Sequence, residues 1–366
     1  MTEPGTPGGL MPDRSRVFVA TRDEVVRVTL TGTRAHDAAT VLPVAAPQCV
    51  AVDPVNPDRL YVGTFDDGLY ASDDGGSRWR VAWEGIADRR VMAVSVSPSH
   101  VVDGVSVVYA GTEPSNLYRS EDGGKTWKLL PEMRQLPSEP SWSFPPRPWT
   151  HHVRTIALHP TDPAALTVGI ELGGVIRSFD GGATWIDHNR EAHSDAHQLV
   201  THPLAPERVY EVAGQGIAVS SDRGDSWRRL DGGLDRHYAW AIAVDSADPD
   251  LWYASVSRSP MAAHGRGDGQ SVLLRSRSGN GARSGNGARS GNGARSRNGW
   301  EVIDRWGEDA ELRRMPYALV ALPEQPGRLL VGLRGGAMLV GDDAGEVWSR
   351  LESPVPDVIA LAAAPA

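Results

Sequence analysis

One eight-residue pattern recurs along the chain at nearly regular intervals. It reads SDDGGSRW at Ser72–Trp79, SEDGGKTW at Ser120–Trp127, SFDGGATW at Ser178–Trp185 and SSDRGDSW at Ser220–Trp227. A weaker copy, GDDAGEVW, spans Gly341–Trp348, and a split copy survives as Arg275-Ser276 and Asn298-Gly299-Trp300. The tryptophans at 79, 127, 185, 227, 300 and 348 leave gaps of 48, 58, 42, 73 and 48 residues. The widest gap holds three tandem copies of RSGNGA over 277–294, and without those 18 residues it shrinks to 55. A unit of this length cannot bury its apolar face alone, so successive copies must stack.

Each copy has a local mechanism. The aspartates Asp74, Asp122, Asp180 and Asp222 can accept hydrogen bonds from backbone N–H groups of their own turn. The glycines permit a left-handed backbone, and the tryptophan is an apolar plug between sheets. Upstream lies a second shared pattern, VAVDPVNPDRLYVGTFDDGLYASDDGG from Val50 and TIALHPTDPAALTVGIELGGVIRSFDGG from Thr155. It reads as strand, Pro-containing turn, strand, hairpin turn, strand and box, with a short fourth strand after the tryptophan. Four strands per repeat make one propeller blade. The C-terminal VIALAAAP (Val358–Pro365) reads as a first strand lacking successors. The N-terminal RVFVATRDEVVRVTL (Arg16–Leu30) reads as second and third strands lacking a first. Joined, they close the ring and remove exposed sheet edges. The expected fold class is an all-β, seven-bladed β-propeller with four-stranded blades, six blades being the alternative. One propeller domain covers 16–366. Residues 1–15 and the Gly/Ser/Asn/Arg-rich insert over 277–297 are expected to be disordered.

Composition narrows the partners. The formal net charge is −9 and six arginines fall between Arg275 and Arg297, so the remainder is more acidic still. A nucleic-acid binder would carry a basic face, so no nucleic-acid partner is expected. No apolar run reaches membrane-spanning length, so no membrane partner is expected. The single cysteine, Cys49, excludes an intrachain disulfide, and the N-terminus shows no signal-peptide pattern. A cytoplasmic location is the expectation.

The boxes resemble the BNR or Asp-box repeats of the sialidase superfamily, and with the VDPxxPxxLYVGT segment the chain is similar to bacterial BNR-repeat propellers of the glycosyl hydrolase or exo-α-sialidase-like kind. Related seven-bladed members include a photosystem II assembly factor and sortilin-type receptor domains. Sialidase chemistry would imply three arginines on a substrate carboxylate, here Arg90, Arg154 and Arg314, with Tyr317 as nucleophile. The Arg-Ile-Pro motif that accompanies that chemistry is absent. The resemblance therefore implies fold, and function has to come from a site.

Strand order locates that site. The first strand of each blade lines the channel, and the turns between second and third strands open on the face where first strands begin. Aligned first strands begin with Gln48, Met92, Arg154, His197, Trp240, Tyr317 and Ile359. Two residues earlier, on the same side by the period-2 rule, come Ala46, Arg90, His152, Asp195, Tyr238, Met315 and Asp357. The hairpin turns add Phe65, Asp66, Glu113, Glu171, Gln215 and Arg334. Pro131–His152 forms a Pro- and aromatic-rich rim, and Asp187–His197 forms its neighbour. His159 and His202, at the far ends of first strands, read as turn residues.

This mouth suits a small-molecule enzyme, expected as a metal-assisted hydrolase or lyase. The candidate catalytic groups are His152, His197, Arg154, Asp195 and Glu171. His152, His197 and Glu171 form a ligand set for a divalent metal. Without metal, the same histidines serve as acids or bases, with Asp195 orienting His197. Arg90, Glu113, Asp66, Tyr238, Trp240, Tyr317 and Trp149 are candidate contacts for an anionic or aromatic ligand. Glu113 and Glu171 also offer the two carboxylates of glycoside hydrolysis. The alternative is a non-enzymatic scaffold, with the same face gripping a protein partner.

Overall fold

The computed structural model describes residues 14–265, 267–276, 299–303, 313–352 and 355–365. The RSGNGA copies and residues 1–13 lie outside the described residues. The strands form seven antiparallel sheets. Blades 1 to 6 begin with the first strands Pro47–Val52, Arg90–Val102, Val153–Leu158, Ala196–His202, Tyr238–Val244 and Pro316–Ala321. Each first strand abuts those of both neighbouring blades, and the series returns to its start. The result is a seven-bladed β-propeller.

Blade 7 is the closure. Ala360–Pro365 pairs antiparallel with Arg14–Ala20, from Ser15 opposite Pro365 to Ala20 opposite Ala360. Glu24–Thr31 and Arg34–Pro43 complete that sheet. The propeller strand thus begins two residues before the expected boundary at 16. Blade 3 has three strands, and a single bridge between Arg177 and Ile186 stands in for the fourth.

The boxes behave as their sequence implies. Asp74 Oδ1 accepts from the Arg78 N–H at 2.8 Å, Asp180 Oδ1 from Thr184 at 2.8 Å and Asp222 Oδ1 from Ser226 at 2.9 Å. In each of the four full boxes the first serine hydroxyl takes the N–H of the second glycine position, as Ser120 does from Gly124 at 2.9 Å. Burial would raise Asp122, but hydrogen bonds from Thr126, Ser120 and Lys125 outweigh it and hold the carboxyl at about 2. Trp127 reaches into the preceding blade and donates to the Ala82 carbonyl at 2.8 Å.

Close blade packing depends on glycine in the second strands. A Cβ on Gly63 would stand 2.6 Å from the Val91 carbonyl, and one on Gly111 would stand 2.3 Å from Val153. Side chains there would push the next first strand outward and widen the channel. Among the described residues no helix is long and apolar enough to cross a membrane.

Candidate functional site

The channel ring is built by backbone slips. In six blades the first-strand register shifts where the strand begins: between Pro47 and Cys49, Val91 and Ala93, Val153 and Thr155, Ala196 and Gln198, Ala239 and Ile242, and Pro316 and Ala318. Gln48, Met92, Arg154, His197, Trp240 and Tyr317 fall within these slips. A β-bulge leaves a residue outside the ladder and re-aims its side chain. All six, with Ile359, line an inner channel of about 240 Å³. The expected ring therefore exists, and bulges rather than simple alternation aim it.

Above the ring the channel opens into a hollow of about 510 Å³. It brings together His152, Arg154, Glu171, Asp195, His197, Tyr238, Trp240 and Tyr317 from blades 3 to 6. Its size is usual for a small-molecule site. Residues from separate strand openings and hairpins meet here because the blades are radial.

His197 is almost fully buried, and its Nδ1 donates to the Ala239 carbonyl at 2.6 Å. That bond leaves Nε2 as the acceptor nitrogen. Burial holds His197 down at about 4, so the ring is neutral at pH 7. Asp195 was expected to orient this histidine, but Asp195 Oδ1 stands 3.7 Å from Nε2, and the backbone carbonyl orients the ring instead. Burial, reinforced by the charge of Glu171, pushes Asp195 up to about 6. Its Oδ1 is buried with no hydrogen-bond partner. Burial would also raise Glu171, but the bond from His152 Nε2 at 3.0 Å and the charges of His152, His197 and Arg154 hold it at about 2. Arg154 Nε lies 3.5 Å from Glu171, beyond hydrogen-bonding geometry, and its guanidinium caps the Trp240 ring at 4.5 Å.

One ligand atom each from Glu171, Asp195 and His197 lie within 4.8 Å of one another. This group shares Glu171 and His197 with the expected set of His152, His197 and Glu171. His152 turns Nε2 onto Glu171, and Asp195 takes its place in the group.

Other expected contacts are drawn away. Arg90 donates to Asp66 at 2.9 Å and to Glu113 at 3.2 Å. Glu113 is buried and also receives Arg147 Nε at 2.7 Å. Arg90, Glu113 and Asp66 therefore form a rim network outside the hollow's lining, and Glu113 is not available as the second carboxylate. Trp149 is 78% exposed and does not line the hollow. The three-arginine arrangement fails with them, because Arg90 and Arg314 do not line the hollow. His193 is buried against Glu211 at 3.0 Å, behind the rim. His159 and His202 are turn residues as expected, their Nδ1 atoms accepting N–H groups of the following turn.

Some lining residues lie outside the strand alignment. Arg147 and Phe144 arrive from the Pro-rich rim, and Phe144 meets His152 edge-on at 4.8 Å. His264 arrives on the short helix Pro260–His264, inside blade 5's hairpin. Its Nε2 pairs with the Tyr238 hydroxyl at 2.6 Å and its Nδ1 with the Tyr317 hydroxyl at 3.0 Å. The unusual length of that hairpin, between Ser257 and Val272, was the available clue.

The sequence profile of the BNR/Asp-box repeat matches residues 118–129, the box of blade 2. No curated protein gives a significant match. Among solved structures, an ancestral GH74 enzyme superposes with a TM-score of 0.58 at 18% identity, over 87% of this chain and 38% of that one. The GH74 xyloglucanase from Xanthomonas campestris gives 0.58 and 18%, over 84% and 45%. YCF48 bound to D1 peptide gives 0.55 and 15%, over 94% and 88%. The chain spans less than half the length of those two GH74 structures. At these identities the likeness is one of fold. Repeats and closure agree on the fold: the chain is a seven-bladed β-propeller, and the BNR/Asp-box profile matches the box of its second blade.

Proposed function

We propose that the chain is a hydrolase acting on a small polar substrate at the channel mouth. The observation that carries this reading is the convergence of Glu171, Asp195 and His197 on one spot inside a walled hollow. A water molecule held there meets two carboxylates and an imidazole whose acceptor nitrogen is turned inward. Its proton passes to a carboxylate oxygen, and its oxygen adds to the electrophilic carbon or phosphorus of the substrate. The bond to the leaving oxygen breaks, and that oxygen takes back the proton. Arg154 faces the negative charge that develops, as oxyanion-stabilising groups do. Trp240, Tyr238 and Tyr317 supply flat apolar walls for a sugar or aromatic body. GH74 enzymes put hydrolysis on a related fold, which is compatible with a glycosidic substrate bond.

The test is turnover of a panel of p-nitrophenyl esters, phosphates and glycosides by the full chain and by Glu171→Gln and Asp195→Asn. Turnover of one substrate class that falls about 10³-fold in both variants supports the reading. Equal rates in all three proteins would sink it. A second reading, a peptide-binding scaffold, is favoured by exposed Trp149 on the rim and by the peptide-bound YCF48 neighbour. It is the outcome if the panel is inert and Trp149→Ala abolishes capture of a peptide ligand.

A further inference from the structure

The geometry points to a divalent transition-metal ion held by Glu171, Asp195 and His197 at the channel mouth. The inference deepens the hydrolase reading of the same hollow and rests on it for the ion's use, though not for its binding.

Distance is the first argument. A point central to three atoms within 4.8 Å of one another lies about 2.8 Å from each at most. Side-chain adjustments of about 0.6–0.8 Å at most then reach the ~2.0–2.2 Å of nitrogen and carboxylate ligands.

The imidazole of His197 points the same way. The His197 side chain is 1% exposed, and its Nδ1 is committed to the Ala239 carbonyl. Its Nε2 makes no hydrogen bond among the described residues, the nearest acid being Asp195 at 3.7 Å. An acceptor nitrogen on a buried imidazole, set beside two carboxylates, has the chemistry of a metal ligand. A carbonyl fixing the far side of the imidazole is the usual support for a metal-bound histidine. Asp195 Oδ1 points into the same place and is likewise buried and unpartnered. Glu171 is steadied from behind by His152, whose other nitrogen faces buried Glu113 at 3.7 Å.

Charge favours a cation here, and Arg154 opposes it. Two carboxylates face one guanidinium, Arg154, which stands 3.5 Å from Glu171 without bonding to it. A divalent ion offsets the remaining negative charge, while Arg154 weakens its binding. Three protein ligands with an open side onto the hollow match a catalytic site, which keeps a position for water. The mixed nitrogen and oxygen set suits zinc or manganese, whereas calcium takes six to eight oxygens.

The experiment strips the full chain with chelator and titrates Zn²⁺ and Mn²⁺ by calorimetry, with Co²⁺ absorption as a second readout. One equivalent bound at micromolar affinity or tighter is expected. Asp195→Asn and Glu171→Gln should each weaken it at least about tenfold and change the Co²⁺ spectrum. Arg154→Gln should tighten it, a sign that a merely structural role would not give. His197→Ala is read only if its thermal unfolding stays cooperative, and the two isosteric variants carry the test otherwise. No uptake, or uptake unchanged in both isosteric variants, overturns the cation site. Metal uptake without turnover of any substrate keeps this site and removes the hydrolase reading. Turnover with no uptake does the reverse.

Discussion

Glu113 and Glu171 occupy corresponding places in neighbouring blades, each where the second strand gives way to its hairpin. Their surroundings differ sharply. Glu113 is fully buried and gripped by Arg147 and Arg90. Glu171 has one hydrogen bond from His152, an arginine just out of reach, and a second carboxylate, Asp195, beside it. One carboxylate is saturated with donors and holds the rim together. The other is short of donors and faces the hollow. Groups left under-satisfied in a cleft are those available to a ligand, so the difference separates scaffold from site more cleanly than sequence position does.

The largest effect should come from breaking the member of the pair that faces the hollow. Glu171→Gln is expected to cost about 10³-fold in kcat/KM, or about 4 kcal/mol of transition-state stabilisation. Its folding stability should stay within about 1 kcal/mol, since losing one bond is offset by relief of the repulsion with Asp195. Chemical denaturation beside kinetics checks both halves. Glu113→Gln should do the opposite. Two arginines lose their buried partner, and stability should fall by about 2–3 kcal/mol, below the fully buried case because both guanidiniums are partly exposed. Activity per folded molecule should change far less than in Glu171→Gln.

Gly214→Ala probes how finely the unsaturated side is placed. Its Cβ would stand 2.0 Å from Asp195 Oδ2. Shifting that carboxylate by about 1 Å should lower kcat about 10- to 100-fold, with little change in melting temperature. Wild-type kcat in this variant would show that Asp195 is not part of the chemistry.

The smallest effect sharpens the comparison from the opposite wall. Burial, with the charge of Arg154, holds His264 down at about 4 against an ordinary 6.5. The unfolded chain therefore binds more protons between those values, and stability rises with pH from about 4 to 6.5. Denaturation curves of wild type and His264→Gln across that window should diverge, with the variant showing the shallower slope.

Much of this was legible in the residues. The box repeats fixed four strands per unit, and the orphan strands at the two ends specified how the ring closes. The channel ring was legible because every first strand carries the same turn at its end, so alignment found the corresponding side chains. Arg147, Phe144 and His264 were not, because irregular inserts deliver them and no period predicts where such a segment folds back. The fate of Glu113 was hidden for the same reason. Arg147 is 34 residues away along the chain, and nothing in the sequence says that the two meet. Asp195 stands beside Glu171 and His197 where His152 was expected, because strand alternation does not anticipate the bulge beside each of them.

That bulge has an evolutionary consequence. The six slipped residues hang outside the hydrogen-bond ladder, so exchanging one for another amino acid leaves the strand register in place, while contacts such as the His197 bond to the Ala239 carbonyl still tie one blade to the next. A channel of this kind works like a socket with removable pins. Its chemistry can be rewritten one position at a time on an unchanged frame, and relatives that share the boxes can face quite different molecules.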